Sequence, residues 1–351
     1  MIPFFNKAII LNILTLLICL ILIVFAAHLF CNALEHLGEK LHLSEGVTGS
    51  IFASVGTALP ETIIPILSIA SISSSTNITN INHEIGVGAI LGAPLMLSTL
   101  SLCVMAISVL KQRGLNGKIS PEPTGVKRDL QFFIFTYTLA FLAIFVQQLP
   151  WHQILNGLIT ITLGLSYFIY IMLTIKSSSK LCEEGNHTVA ESPLLLTKLG
   201  FKFNNVAIIL QLIIALVVLI YFADKFIDTV NIIANLYHIS SFLLSLIIIP
   251  IATEMPEKIN SIIWLRNKKD TLAISNITGA MVFQGSLLPI LGILFTNWSL
   301  NSILPIIGIT ITLIATIWFY TNARRNNIRV WHFGINGLLY LTNIVCCLYF
   351  I

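Results

Sequence analysis

The sequence predicts an all-α integral membrane protein of ten transmembrane helices, arranged as two inverted five-helix repeats. Three observations carry that prediction. Of 351 residues, 56% are hydrophobic and only 10% charged, with a mean hydropathy of +0.92, whereas soluble domains carry about 25% charged residues. Apolar runs near the length that crosses about 30 Å of hydrocarbon recur along the whole chain. A proline-glutamate step also stands twice in the middle of such a run, as Gly56-Thr57-Ala58-Leu59-Pro60-Glu61 and Ala252-Thr253-Glu254-Met255-Pro256-Glu257.

The runs are read at 8–31, 46–74, 84–110, 130–149, 153–175, 203–223, 240–264, 271–296, 302–321 and 330–351. The first follows Lys7 in the manner of a signal peptide, but its length and its counterpart in the second half make it a span. Cys19, Cys31, Cys103, Cys182, Cys346 and Cys347 have no metal-ligand spacing and mostly fall inside spans, as small apolar fillers. Charge fixes the expected orientation. With an external N-terminus the inside loops collect Lys40, the group Lys111 to Arg128, the group Lys176 to Lys202, Arg266 to Lys269, and Arg324 to Arg329, leaving only Lys7 and Lys225 outside. That asymmetry predicts both termini outside a cell membrane. Membrane topology thus accounts for the net charge of +4, with no need for a nucleic-acid partner.

In each Pro-Glu step the proline lacks an N–H and crowds the preceding turn. The carbonyls of Gly56 and Ala252 therefore lose their helical partners, and the helix is expected to open there. An ionisable residue inside a span is a functional site by default. Opened backbone beside a carboxylate can form an oxygen cage for a cation within the bilayer.

Aligning the two steps also aligns Leu41-His42-Leu43-Ser44 with Tyr237-His238-Ile239-Ser240. Further on, Gly88-Ala89-Ile90-Leu91-Gly92-Ala93-Pro94 falls against Ser275-Asn276-Ile277-Thr278-Gly279-Ala280-Met281. The chain is read as a first half, 1–175, a polar cytoplasmic linker, 176–202, and a second half, 203–351. An odd number of spans separates equivalent elements, so the halves enter the membrane from opposite sides. Transporters built this way hold their substrate near the midplane, between discontinuous helices.

Glu61 and Glu257 each sit near the middle of a span, and a pseudo-twofold axis brings them together. Two unpaired carboxylates in a low dielectric cannot both stay ionised, so the empty pair must hold protons or cations. A divalent ion balances both charges. Calcium takes six to eight oxygens at about 2.3–2.6 Å, within the means of two carboxylates and the opened backbone near Thr57 and Thr253. Soft-ligand clusters that favour zinc or copper are absent from the sequence.

The paired Gly/Ala-Thr-x-x-Pro-Glu segments, each followed by a glycine-containing helix, resemble the two α-repeats of the cation/calcium antiporter superfamily, nearest its sodium/calcium exchangers. The resemblance spans both repeats and the ten-span plan. It implies Glu61 and Glu257 as shared ligands of Ca2+ and Na+, with the main-chain carbonyls of Thr57 and Thr253 completing the shell. It implies that these ions are cargo rather than a prosthetic group, and that spans 8–31 and 203–223 slide across a fixed core. The accessory ion positions are Gly56, Ala252, Glu254 and Gln284.

Departures from the pattern bear on the counter-ion. Where exchangers usually carry serine, this chain has Ala58 and Glu254. In place of Gly-Ser-Asn it has Gly92-Ala93-Pro94 and Gly279-Ala280-Met281, and the later acidic or amide position is Gln284 in one half and Leu97 in the other. The expected activity is exchange of Ca2+ for Na+, with H+ or K+ as the alternative counter-ion and a cation channel as a further one. Glu254 either pairs with Lys258 at i, i+4 or faces the ions. Glu84 and Asp270 are read as caps at the starts of corresponding helices. His83-Glu84 is not followed by a second histidine at metalloprotease spacing, and Gly-x-Ser-x-Gly is missing, so the chain does not read as an enzyme. No regulatory domain separates the halves, as expected of a compact prokaryotic exchanger for which a monomer suffices.

Overall fold

Two long helices flank a packed helical core. The computed structural model describes residues 2–41, 47–70, 76–147, 149–183, 190, 192–200, 202–237, 246–247, 250, 253–296, 298 and 303–349, with side chains for most of them. Helix α1 spans Ile2–Lys40. A π-helical turn, Thr48–Ala53, leads into the short α2, Ser54–Thr57, and then α3, Leu59–Ala70. Helix α4, Thr76–Met96, passes through a second π turn, Leu97–Ser101, into α5, Leu102–Arg113. Next come α6, Pro123–Val146, α7, His152–Glu183, a 3-10 turn at Leu195–Leu199 and α8, Asn205–Tyr237. The chain closes with α9, Met255–Arg266, α10, Asp270–Phe295, α11, Leu304–Arg324, and α12, Val330–Tyr349.

Among the described residues, eight helices are long and apolar enough to cross a membrane, and a ninth span counts if the pair Gly49–Gly56 and Glu61–Ile69, bent by 48°, is one broken crossing. The expected span 240–264 is described only at residues 246, 247 and 250 and from Thr253 onward. Glu84 does not begin a helix: α4 starts at Thr76 and carries Glu84 in its interior. The local cause is the run Thr76-Asn77-Ile78-Thr79-Asn80, polar enough to lie outside the apolar span yet continued as helix.

Helix α1 has 39 residues, about 58 Å at 1.5 Å per residue, roughly twice the hydrocarbon thickness. It packs antiparallel along α8. Ala33 lies in one apolar cluster with Ala207 and Ile208, Ala26 in another with Leu219, and Cys19 and Ile23 in a third with Phe226. Small residues on α1 let the two backbones approach, as packing between helices in lipid requires. The outward face of the pair carries Leu14, Leu17, Ile18, Ile21, Ile209, Ile213 and Val217, all exposed.

Most of the remaining helices build one large core. The spans Gly86–Arg113 and Asp270–Phe295 are buried over most of their length. A Cβ on Gly279 would run into the carbonyl oxygen and Cα of Ser50, and one on Gly92 into the carbonyl of Leu246 and the ring of Pro250. Each glycine admits the backbone of a broken segment from the other half of the chain. Beside the first crossing, Asp129 is fully buried. Its Oδ2 accepts from Ser50 Oγ at 3.0 Å and Thr278 Oγ1 at 2.7 Å, and its Oδ1 accepts from Tyr170 OH at 3.1 Å. One carboxylate on α6 thus ties the π turn, α7 and α10 together.

The described parts of the segment 176–202 are tied to helices. Helix α7 continues to Glu183, and Leu194 and Leu196 bury against α1 and α8. Asn32 Oδ1 accepts from Leu195 N at 3.0 Å, and Gln211 Oε1 from Leu196 N at 2.9 Å.

Candidate ion site

Both Pro-Glu steps interrupt their helices with the same backbone pattern. Around Pro60, Ala58 N donates to Ser54 O at 3.0 Å and Thr62 N to Ala58 O at 3.2 Å. Around Pro256, Glu254 N donates to Pro250 O at 3.2 Å and Lys258 N to Glu254 O at 3.2 Å. These are equivalent positions in the alignment that superposes the two steps. Ala58 and Glu254 both fall in a turn between helical pieces. Each proline then opens a new helix, placing Glu61 in the first turn of α3 and Glu257 in the first turn of α9. A carboxylate there lies at the positive end of the helix dipole.

Glu61 is 2% exposed, and Glu254 and Glu257 are 0% exposed. The three carboxylates share one electrostatic neighbourhood: Glu61 feels the charges of Glu257 and Lys258, and Glu254 those of Lys258, Glu61 and Glu257. Thr253, also buried, directs its side chain at Glu61. Lys258 Nζ lies 3.9 Å from Glu254 Oε2 and donates to Pro250 O at 3.5 Å. Glu254 thus pairs with Lys258 and also stands within the field of the other two glutamates.

The remaining expected residues divide. Gly56 is buried. Thr57 closes α2, its side chain lying outside the described residues, as does Ala252 entirely. Gln284 is 0% exposed on α10, and neither its Oε1 nor its Nε2 has a hydrogen-bond partner among the described residues. It lies two turns beyond Asn276, about 12 Å along the helix. Among the described residues no group of three or more His, Cys, Asp or Glu side chains forms a metal-binding cluster. A cation held here would therefore need backbone oxygen beside the carboxylates.

Two residues entered the site without a signal of their own. Asn276 Nδ2 donates to Glu257 O at 3.3 Å and Ser261 Oγ at 3.0 Å, clamping α10 to the start of α9. It aligns with Ala89 in the first half, so repeat matching gave no reason to select it. Ser101, at the end of the second π turn, stands near Glu254 without a hydrogen-bond partner for its Oγ among the described residues. Asp270 opens α10 at the positive end of its dipole, as expected, and there also receives Arg113 through Nη1 at 2.8 Å and Nη2 at 2.7 Å, and Ser120 N at 2.8 Å. Lys269 is the N-cap and makes no side-chain capping bond.

Comparison with known proteins follows the same architecture. Residues 11–176 and 207–349 match the family model described as sodium/calcium exchanger protein. The inner membrane protein YrbG of Escherichia coli K12 is 22% identical over 272 residues, covering 77% of this chain and 75% of that one. Among solved structures, the sodium-calcium exchanger NCX_Mj aligns with 21% identity and a TM-score of 0.62, covering 96% of this chain and 98% of the other. The H+/Ca2+ exchanger CAX aligns with 16% identity and a TM-score of 0.71, covering 95% of this chain and 82% of the other.

Proposed function

The chain belongs to the sodium/calcium exchanger family, and from that membership we propose that it is a secondary antiporter that carries Ca2+ across a cell membrane against Na+ by alternating access. It is an ion exchanger rather than an enzyme. What supports the ion site is that Glu61 and Glu257, each buried in the first turn of a helix that begins at a proline break, lie within one another's electrostatic field. Their two charges match one calcium ion, and the carbonyls of Thr57 and Thr253 supply oxygens toward its shell of six to eight. Gly56, Ala252, Glu254 and Gln284 form the accessory ion positions.

Two inverted halves, 1–175 and 203–351, joined by 176–202, generate this site. The reciprocal glycine crossings support that reading. Gly279 receives Ser50 and Gly92 receives Leu246, and both glycines and both partners are equivalent in the repeat alignment. The paired backbone patterns at Ala58 and Glu254 support it as well. Ten spans with both termini outside follow from the charge asymmetry of the loops. The apolar clusters that join α1 to α8 are separate from the main core, and one of them reaches Ile64 of α3 and Ala89 of α4, a limited contact that suits a unit moving against a fixed body.

The counter-ion rests on the side chains. Ala58, Ala93, Ala280 and Met281 offer no hydroxyl or amide, so sodium would be held mainly by Glu61, Glu257 and backbone carbonyls, with Glu254 or Gln284 as the further side-chain ligand. Similarity to both NCX_Mj and CAX, whose names give different counter-ions, does not separate Na+ from H+. Proteoliposomes settle it through calcium uptake under outward Na+, K+ or H+ gradients. Uptake is expected to follow the sodium gradient and to fall to background in Glu61→Gln and Glu257→Gln, each of which removes one of the two balancing charges. Uptake driven by the proton gradient alone would transfer the coupling to H+. Wild-type uptake in either variant would move calcium elsewhere, and calcium flux without any counter-gradient would indicate a channel.

A further inference from the structure

A cleft that none of the three buried glutamates lines opens between α6 and α11, where the basic loops lie. It measures about 620 Å³ and is lined by Thr124, Lys127, Arg128, Gln131, Tyr320 and Arg324. Three of these six residues are cationic, and no carboxylate lines it. Of the two nearby acids, Glu122 caps α6 by accepting from Thr124 N and Gly125 N, while Asp129, fully buried among Ser50, Thr278 and Tyr170, has its Oδ1 3.8 Å from Arg128 Nη2 and offsets part of that one charge, leaving Lys127 and Arg324 as the cleft's uncompensated cations. Arg128 is held in place by its bond from Nη1 to Ser177 Oγ at 3.0 Å and by the Tyr170 ring 5.9 Å away. Its buried Nε has no hydrogen-bond partner among the described residues.

The cleft does not end at the polar residues. A second one, of about 450 Å³, shares Gln131 and Tyr320 with it and continues between Ile134, Phe135, Thr138 and Leu139. At the junction Gln131 Nε2 donates to Tyr320 OH at 2.8 Å, linking the two helices. From Arg128 to Leu139 the axis of α6 rises about 16 Å at 1.5 Å per residue, roughly one leaflet of a bilayer whose hydrocarbon is about 30 Å thick. The feature is therefore cationic at the headgroup level and apolar along the depth of one acyl chain. Basic residues in cytoplasmic loops are common in membrane proteins, but a continuous groove of this length and polarity order is not required by topology.

We propose that this groove binds one anionic phospholipid of the inner leaflet, its phosphate between Lys127, Arg128 and Arg324 and an acyl chain along Ile134, Phe135 and Leu139. Basic pockets between spans on the cytoplasmic side recognise acidic headgroups in this way. Because α6 and α11 belong to different halves of the chain and pack directly on each other, the lipid would bridge them.

The test is native mass spectrometry of the full-length protein in detergent, titrated with phosphatidylglycerol, with phosphatidylethanolamine, or with phosphatidylglycerol in the presence of millimolar inorganic phosphate. The wild type is expected to retain one phosphatidylglycerol in preference to phosphatidylethanolamine. The Lys127→Gln/Arg324→Gln double variant, altered where side chains reach solvent, should bind it more weakly by about fivefold for each charge removed. Ile134→Trp, which keeps every charge and fills the apolar half, should also lose the lipid. Equal retention of both lipids, or undiminished retention in the double variant, would overturn the assignment. Displacement of the lipid by inorganic phosphate would show that the cleft reads a free anion.

Discussion

At the scale of single residues, the proposed ion site carries a cation of the protein's own. Lys258 and Glu254 are nearly or fully buried and 3.9 Å apart, within the field of Glu61 and Glu257. A buried pair is weak evidence of net stabilisation, because desolving both ions offsets most of their attraction. Removing one partner is another matter. Lys258→Met should destabilise the protein by about 3–5 kcal/mol, because Glu254 is left as an uncompensated buried charge. The Glu254→Leu/Lys258→Met double variant should recover most of that loss. Thermal unfolding in detergent measures both, and a double variant as unstable as the single one would show that Lys258 serves Glu61 or Glu257 instead. The Pro-Glu steps were legible at this scale, because proline's missing donor and a carboxylate in an apolar run are local facts of the chain. Asn276 was not, because its hydrogen bonds to Glu257 O and Ser261 Oγ depend on how α10 lies against α9.

Among helices, the site depends on close crossings that only small residues allow. Gly279 and Ser50 meet backbone to backbone, and Asp129 bolts the same crossing through Ser50 and Thr278. Gly279→Ala adds a methyl where a carbonyl and a Cα already lie. Overpacking of this kind costs about 1–3 kcal/mol, and the broken segment that carries Thr57 and Glu61 should shift with it. Gly308→Ala is the matched control: a Cβ there would meet only Leu95 Cδ2, at 4.0 Å. Melting temperatures should fall for Gly279→Ala and hold for Gly308→Ala; equal effects would mean that the Ser50 crossing can relax freely. The repeat alignment had paired Gly279 with Gly92, but what each glycine admits was invisible in it. Asp129 gave no signal either, since it follows Arg128 at the edge of an expected span and reads as a loop charge.

For the whole molecule, the proposed alternating access has the α1–α8 pair travel relative to the helices that hold the glutamates, and this can be tested. Cys19 on α1 shares an apolar cluster with Phe226 on α8 and with Ile64 on α3. Joining Cys19 to Ile64→Cys with a bifunctional thiol reagent links the pair to the glutamate-bearing helix and should arrest calcium exchange. Joining Cys19 to Phe226→Cys links the two long helices to each other and should leave most of it. Uptake assays before and after reductive release of the linker separate these cases. Equal transport through both cross-links would exclude sliding at this contact.

The sequence by itself determined the membrane class, the approximate spans, the two breaks and the family, because hydropathy, proline chemistry and charge asymmetry are properties of short stretches of chain. Only the tertiary structure decided that Glu254 pairs with Lys258 while sharing the field of Glu61 and Glu257, that Asp129 locks Ser50 to Thr278, that Asp270 at its helix start also answers Arg113, and that α6 and α11 leave a cationic groove between them. Each of these joins residues on different helices or sets the direction of a buried side chain. In a low dielectric, such choices follow from which polar groups the packing brings within reach of one another, and spacing along the chain does not encode that.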